Sequence, residues 1–260
     1  MKRISLFIAI ITLISCTSKK QTGANDSANV QSQDKVYVVG MDANYPPFGW
    51  VDGNQTVVGF DADVFSAIAD KMHIKFKMMN TPWEGIFTQL ANGDKDILIS
   101  AMTITEERKQ SMDFSEPYFE AKQLIAVQTK SMIQSLADLK SGKYKVGTQT
   151  GTTGNDVIEK MLGKDNKNIR RFESTPLALK ELENGGVDCV VADNGVVVHY
   201  VKNNPLRFRM ITDESFPKEN YGMAVKKGNS ELLEKLNEGL SLIKKDGTYN
   251  KIYLKYFGVN

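Results

Sequence analysis

Residues 96–117 read D-I-L-I-S-A-M-T-I-T-E-E-R-K-Q-S-M-D-F-S-E-P, a stretch that fixes both an architecture and a candidate site. Ile97, Ile99 and Ala101 alternate as one face of a strand. The run ends in threonines, and Thr105 has the chemistry of a helix N-cap. Glu106 and Glu107 follow in the first turn, with Arg108 three residues after the cap. A strand that passes directly into a helix start gathers hydroxyls, free amides and a guanidinium fork at one point. Such a point suits a small carboxylate, which an arginine grips through two parallel hydrogen bonds. Taken alone, the same string is also an ordinary capped surface helix with a solvated arginine.

Outward from this stretch, strands and helices alternate. V-Y-V-V-G from Val36 reads as a strand and N-Y-P-P-F-G-W as a turn. A helix is expected from Asp61 to Met72, with Val64, Phe65, Ile68 and Met72 on one apolar face. Ile74–Met78 alternates as a strand, Gly85–Asn92 is a short helix, and D-I-L-I-S-A is the next strand. A second series opens near Leu124 with L-I-A-V, then a helical turn at Ser135–Lys140. The strand K-Y-K-V-G-T enters the loop Q-T-G-T-T-G ahead of a helix at Asn155–Leu162. A short strand at Arg170–Phe172, a helix at Pro176–Asn184, the buried strand V-D-C-V-V-A and a helix at Val196–Lys202 follow. Tyr221–Val225 reads as an edge or crossover strand. Glu231–Phe257 is helical, with Leu232, Leu236, Leu240 and Ile243 on one stripe and a restart at D-G-T-Y. This alternation predicts an α/β fold with largely parallel sheets. The pattern runs twice without a residue-level repeat, so two α/β lobes are expected, with a cleft where strand ends face each other.

The first residues carry a different message. Lys2 and Arg3 precede an apolar run from Ile4 to Ile14, too short for a bilayer span but right for a signal-peptide core. L-I-S-C at Leu13–Cys16 looks like a bacterial lipobox, which implies a signal peptide at 1–15 and acylation of Cys16. Residues 16–35 then form the lipidated start and a flexible linker, because 17–34 hold too little apolar surface to offset ordering. Without residues 1–15 the chain has 31 basic and 31 acidic side chains. A near-zero net charge and no basic patch argue against nucleic acid as a partner. With Cys16 claimed by the lipid, Cys189 remains a buried, unpaired thiol on a strand.

At this point the chain resembles the polar amino acid-binding proteins of bacterial ABC importers, which have the type II periplasmic binding fold. The likeness runs from Val36 to Gly258. It is carried by G-M-D-A-N-Y-P-P-F, V-G-F-D-A-D-V, A-M-T-I-T-E-E-R with D-F-S-E-P-Y-F, Q-T-G-T-T-G, V-V-A-D-N and D-G-T-Y-N-K-I-Y-L-K-Y-F-G. The resemblance implies two α/β lobes joined by two hinge strands, with lobe 1 formed by 36–119 and 222–258 and lobe 2 by 120–221. It implies that Arg108 clamps a ligand α-carboxylate with Thr103 and the backbone of Ala101, and that Thr152 and Thr153 close on it from lobe 2. Asp193 takes the α-ammonium. Asp42, Tyr45, Trp83 and Trp50 set the side-chain choice, and Gln149 stands where glutamine-type relatives carry a lysine. Aromatic faces beside a carboxylate suit a guanidinium or ammonium tip, so arginine or lysine is the expected ligand, with glutamine or another polar amino acid as the alternative. A monomer is expected, lipid-anchored through Cys16 to a membrane of the cell envelope on its periplasmic or extracellular face, and serving the membrane subunits of an ABC permease.

Signs of catalysis are sparse. His73 sits at a helix end and His199 beside Tyr200, neither near a nucleophile signature nor at metal-ligand spacing. Q-T-G-T-T-G lacks the Gly-Lys-Ser/Thr ending of a phosphate loop. Asp61 and Asp63 fall at a helix start, where carboxylates favour the helix dipole, and the same reading covers Glu84. No cofactor, no metal and no enzymatic activity are expected, although some dehydratases use the same fold.

Overall fold

Residues 35–258 are described by the structure, a computed structural model. The expected signal peptide, the expected lipidation at Cys16 and the expected linker up to residue 34 lie outside the described residues. Strand β1 (Val36–Met41) leads into a small three-stranded sheet, β2 (Asn44–Tyr45), β3 (Gly49–Val51) and β4 (Val57–Val58), and then helix α1 (Phe60–Met72). Strand β5 (Lys75–Asn80), helix α2 (Ile86–Asn92), strand β6 (Ile97–Leu98), the one-turn helix α3 (Glu106–Lys109) and strand β7 (Met112–Phe114) follow. The long β8 (Phe119–Gln128) opens the second series: α4 (Leu136–Leu139), β9 (Val146–Gln149), α5 (Thr153–Leu162), β10 (Ile169–Phe172) and α6 (Thr175–Asn184). Next come β11 (Cys189–Asp193), α7 (Asn194–Asn203), β12 (Phe208–Ile211), β13 (Lys218–Tyr221), β14 (Ala224–Lys226), α8 (Ser230–Lys245) and α9 (Thr248–Phe257).

Two larger sheets build two α/β lobes. The first runs β5-β1-β6-β14-β7 and the second β10-β9-β11-β8-β12. Each is mixed rather than largely parallel. Around β1 and around β9 the neighbours are parallel, as helical crossovers require. β14 and β8 enter from the other lobe and meet their neighbours antiparallel. An apolar alternation of period 2 looks the same in either direction, which is why the sequence did not announce this.

The chain crosses between sheets twice. The start of β8, Phe119–Lys122, pairs antiparallel with β13, and its remainder pairs with β11 and β12. The stretch expected as one strand at Tyr221–Val225 is therefore two. β13 ends at Tyr221 beside β8, and β14 begins at Ala224 inside the first sheet. The short β2, β3, β4, β7 and β12 had no separate sequence signal.

Helices were more legible. α1 buries Val64, Phe65 and Ile68, and α8 buries Leu232, Leu236, Leu240 and Ile243, as their spacing predicts. Gly239 lets the two helices approach, since a Cβ there would lie 2.7 Å from Ile68 Cγ2. Cys189 is free and buried on β11, as expected. Among the described residues no helix is long and apolar enough to cross a membrane.

Candidate functional site

The C-terminal ends of four parallel strands converge on one cavity. Asp42 follows β1, Ser100 and Ala101 follow β6, Gln149 ends β9 and Asp193 ends β11. Open α/β sheets leave unpaired chain and loop at these ends, which is where ligand crevices form. The cavity holds about 320 Å³ of empty space, its open mouth included. Ten of the site residues named from the sequence line it: Asp42, Tyr45, Trp83, Ala101, Thr103, Arg108, Gln149, Thr152, Thr153 and Asp193. Ser100 joins them and was not foreseen. Trp50 and Glu84 are not on its lining. Trp50 packs edge-on against Tyr256, and Glu84 is exposed.

One wall is built around Arg108. Thr105 caps α3 by accepting the Arg108 amide at 3.1 Å. The guanidinium donates through Nη1 to the Thr103 carbonyl at 2.8 Å and through Nη2 to the Gly151 carbonyl at 3.2 Å. Its carbon lies 5.3 Å from the Trp83 ring and 5.2 Å from the Phe87 ring. Burial pulls the guanidinium down from its ordinary value, while Asp156, Asp193, Glu219 and Glu107 work against that shift. Gly151 has φ 71°, a left-handed conformation that glycine adopts without strain. Its carbonyl also accepts the Trp83 indole N–H at 3.3 Å. Next to it, the Thr152 hydroxyl caps α5, so the first turn of that helix starts at the cavity rather than at Asn155.

Ala101 needs a separate account. It is a non-glycine residue at φ 45°, a strained position that its surroundings must hold. Asp61 holds it: Oδ2 accepts the Ala101 amide at 2.6 Å and Oδ1 accepts the Tyr118 hydroxyl at 3.0 Å. Asp61 is fully buried, and burial pushes its carboxyl up to about 7. The expectation that Asp61 merely favours a helix dipole is corrected accordingly. Asp63 alone fits a surface reading, paired to Lys255. Because the Ala101 amide is committed to Asp61, its backbone offers a ligand only the carbonyl, an acceptor for an ammonium and no donor for a carboxylate.

The opposite wall centres on Asp193, which is 6 % exposed and stands at the N-cap position of α7 with its side chain turned to other partners. Its Oδ2 accepts the Tyr45 hydroxyl at 2.9 Å and the Tyr221 hydroxyl, and its Oδ1 accepts from Gln123 Nε2. Burial, followed by the charge of Glu219, pushes the carboxyl up to about 6. Burial and the facing Asp193 charge push both tyrosine hydroxyls up. Gln123, Tyr221 and Glu219 were not found from the sequence. For Glu219 and Tyr221 the one signal is the alternation of K-E-N-Y in β13, which turns both to the buried face; Gln123 on β8 has none.

The third corner holds Asp42 and Gln149. Asp42 takes the Asn44 amide on Oδ1 at 3.1 Å, and its own amide donates to Ser100 Oγ at 3.0 Å. Burial raises its carboxyl, opposed by the amides of Asn44 and Trp83 and by the Gln149 side chain. Gln149 is 3 % exposed and fixed in orientation. Its Oε1 accepts from both the amide (3.1 Å) and the hydroxyl (2.9 Å) of Thr175, while Nε2 donates to the Glu173 carbonyl at 3.2 Å. A main-chain N–H can only donate, so Gln149 must keep its NH2 group on the Asp42 side. His73 and His199 lie away from this cavity, and no metal-holding cluster occurs among the described residues.

The geometry is that of a polar cleft with a cation on one wall and carboxylates on two others, and known proteins share its frame. A "Probable histidine-binding protein" of Neisseria gonorrhoeae is 43% identical over 254 residues, 97% of this chain and 93% of that protein. The arginine-, lysine-, histidine-binding protein ArtJ of Geobacillus stearothermophilus superposes with a TM-score of 0.82 at 42% identity, covering 87% of this chain and 96% of ArtJ. An ancestral arginine-binding protein bound to arginine superposes with a TM-score of 0.80 at 46% identity, covering 86% and 98%. The sequence profile of one family spans residues 37–259, both sheets and every residue of the cavity, and the chain therefore belongs to the bacterial extracellular solute-binding proteins, family 3.

Proposed function

We propose that this protein binds a basic L-amino acid, arginine or lysine, and delivers it to the membrane subunits of an ABC importer without altering it chemically. The observation that carries the reading is the placement of Arg108 and Asp193 on facing walls of one cavity. A zwitterion needs a fixed cation for its carboxylate and a fixed anion for its ammonium. Asp42 is a further anion on the same lining, bonded to the Trp83 amide, and suits a cationic side chain. The relatives support an amino acid: they are named for binding histidine, arginine and lysine. In this reading lobe 1 comprises 36–119 and 222–258, lobe 2 comprises 120–221, and β8 and β13 are the hinge. A monomer anchored through a lipid on Cys16 completes it.

Glutamine is the second reading. The Asp42 carboxylate is an acceptor that also takes a primary amide N–H, while both N–H groups of Gln149 are engaged by the Glu173 carbonyl and Asp42. A relative named as an ancestral arginine-binding protein was solved with glutamine, at 46% identity and a TM-score of 0.79.

A thermal-shift and calorimetry panel of the twenty amino acids tests the proposal. At a hundredfold excess over its Kd, the true ligand stabilises the fold by about 2.7 kcal/mol. Arginine and lysine are expected to lead; tighter binding of glutamine would hand the site to the second reading.

Affinity is also expected to depend on pH. The Asp193 carboxyl is raised to about 6, so the anion that meets the ammonium is lost as pH falls through that value. At pH 5 about a tenth of it is ionised, and affinity should be about tenfold below that at pH 7.5. For the unliganded fold the sign reverses. This group favours folding most below the unfolded carboxyl value, and that contribution is lost as pH rises through 6. Calorimetric Kd values that stay level from pH 5 to 7.5 would remove Asp193 from the ammonium role.

A further inference from the structure

We propose that Glu219 is a clasp across the two lobes that sets how long the ligand stays bound. The residue sits on β13, the return crossing, opposite Ala121 of β8, and is 7 % exposed. It does not line the cavity. Its Oε2 accepts the Thr103 hydroxyl at 2.7 Å and the Thr153 hydroxyl at 2.7 Å. Thr103 comes from the segment after β6 in the first sheet, and Thr153 is the first residue of α5, packed on the second. One oxygen atom thus joins a hydroxyl from each lobe.

The other oxygen completes the arrangement. Oε1 accepts from Gln123 Nε2 at 3.1 Å, and the same nitrogen donates to Asp193. Glu219 is therefore coupled to the carboxylate on the ammonium wall as well as to two hydroxyls at the cavity surface. A buried carboxylate is costly unless donors satisfy it, and charge-assisted bonds are the strong ones. When the sheets swing apart, a single oxygen cannot keep partners on both, so two of its strong bonds exist together only in the closed form. Interactions confined to the closed form slow release and leave encounter unchanged. Glu219 is a positioning residue: it acts through Thr103 and Thr153, not on the ligand.

The inference rests on the cavity being an amino acid site. Its test is stopped-flow fluorescence of Trp83, whose indole bonds across the cleft to Gly151, with L-arginine, L-lysine, L-histidine and L-glutamine as probes. Glu219→Gln keeps the shape and removes the charge. The dissociation rate for whichever probe binds is expected to rise about tenfold or more, with the association rate within about twofold of wild type. An unchanged dissociation rate in Glu219→Gln, or a loss carried by association instead, would overturn the clasp alone. Failure of the wild-type protein to bind any of the four probes would overturn the amino acid reading, and the clasp with it.

Discussion

Arg108→Ala is expected to abolish binding of every amino acid ligand, with Kd rising by about a hundredfold to ten-thousandfold. All such ligands share the α-carboxylate, and two charge-assisted hydrogen bonds of about 1.5–3 kcal/mol each are lost together. Arg108→Lys should recover little. A lysine ammonium lacks the planar fork that serves Thr103 and Gly151 at once and that approaches the Trp83 and Phe87 rings. The fold itself should survive both changes, because the buried core clusters do not depend on α3. Calorimetry on the folded variants decides the matter. Near-native affinity in either one sinks the carboxylate assignment.

The second large effect concerns side-chain choice. Asp42→Asn is expected to cost arginine or lysine about 3–5 kcal/mol, because a buried cation loses its counter-charge. Glutamine, which needs only a hydrogen bond there, should lose about 1–3 kcal/mol. The preference for a basic ligand should therefore narrow or reverse. The surroundings of Asp42 sharpen this expectation. The Asn44 amide, the Trp83 amide and the Gln149 NH2 group already point donors at the carboxylate. An asparagine in its place must turn one end of its own amide into that set of donors, and only the oxygen end fits. Competition calorimetry with arginine and glutamine reads the outcome. An unchanged ratio of affinities means that Asp42 does not meet the ligand side chain.

Much of the fold is legible in the sequence. The apolar stripes of α1 and α8, the strand-to-helix passages at Thr105 and Thr152, and the repeated alternation of strand and helix gave two α/β units. The polar residues of the cavity were legible by two routes. Local chemistry alone marked only the Thr105–Arg108 helix start; the others, Asp193 among them, were named through the resemblance that the short motifs at the C-terminal ends of strands carry. Other site groups had no such local signature. Gln123, Glu219 and Tyr221 lie on crossing strands, and each matters because of a partner 28 to 116 residues away. Glu219 in isolation is one acidic residue in an alternating strand.

Sequence by itself determined which of the longer segments are strands and helices, and which faces are apolar. Those properties follow from spacing and side-chain chemistry, which are local. Only the tertiary structure decided strand direction, since period 2 is blind to it, and it split the expected crossover at Tyr221 into β13 and β14. It also decided what each polar group faces. Asp61 changed from a helix-start carboxylate into the buried support of a strained Ala101. Gln149 was fixed with its NH2 group toward Asp42 by the Thr175 amide. Glu219 gained hydroxyls from two lobes. Hydrogen bonds need partners within about 3 Å, and which groups come that close is settled by how the sheets pack and cross, not by the order of residues along the chain.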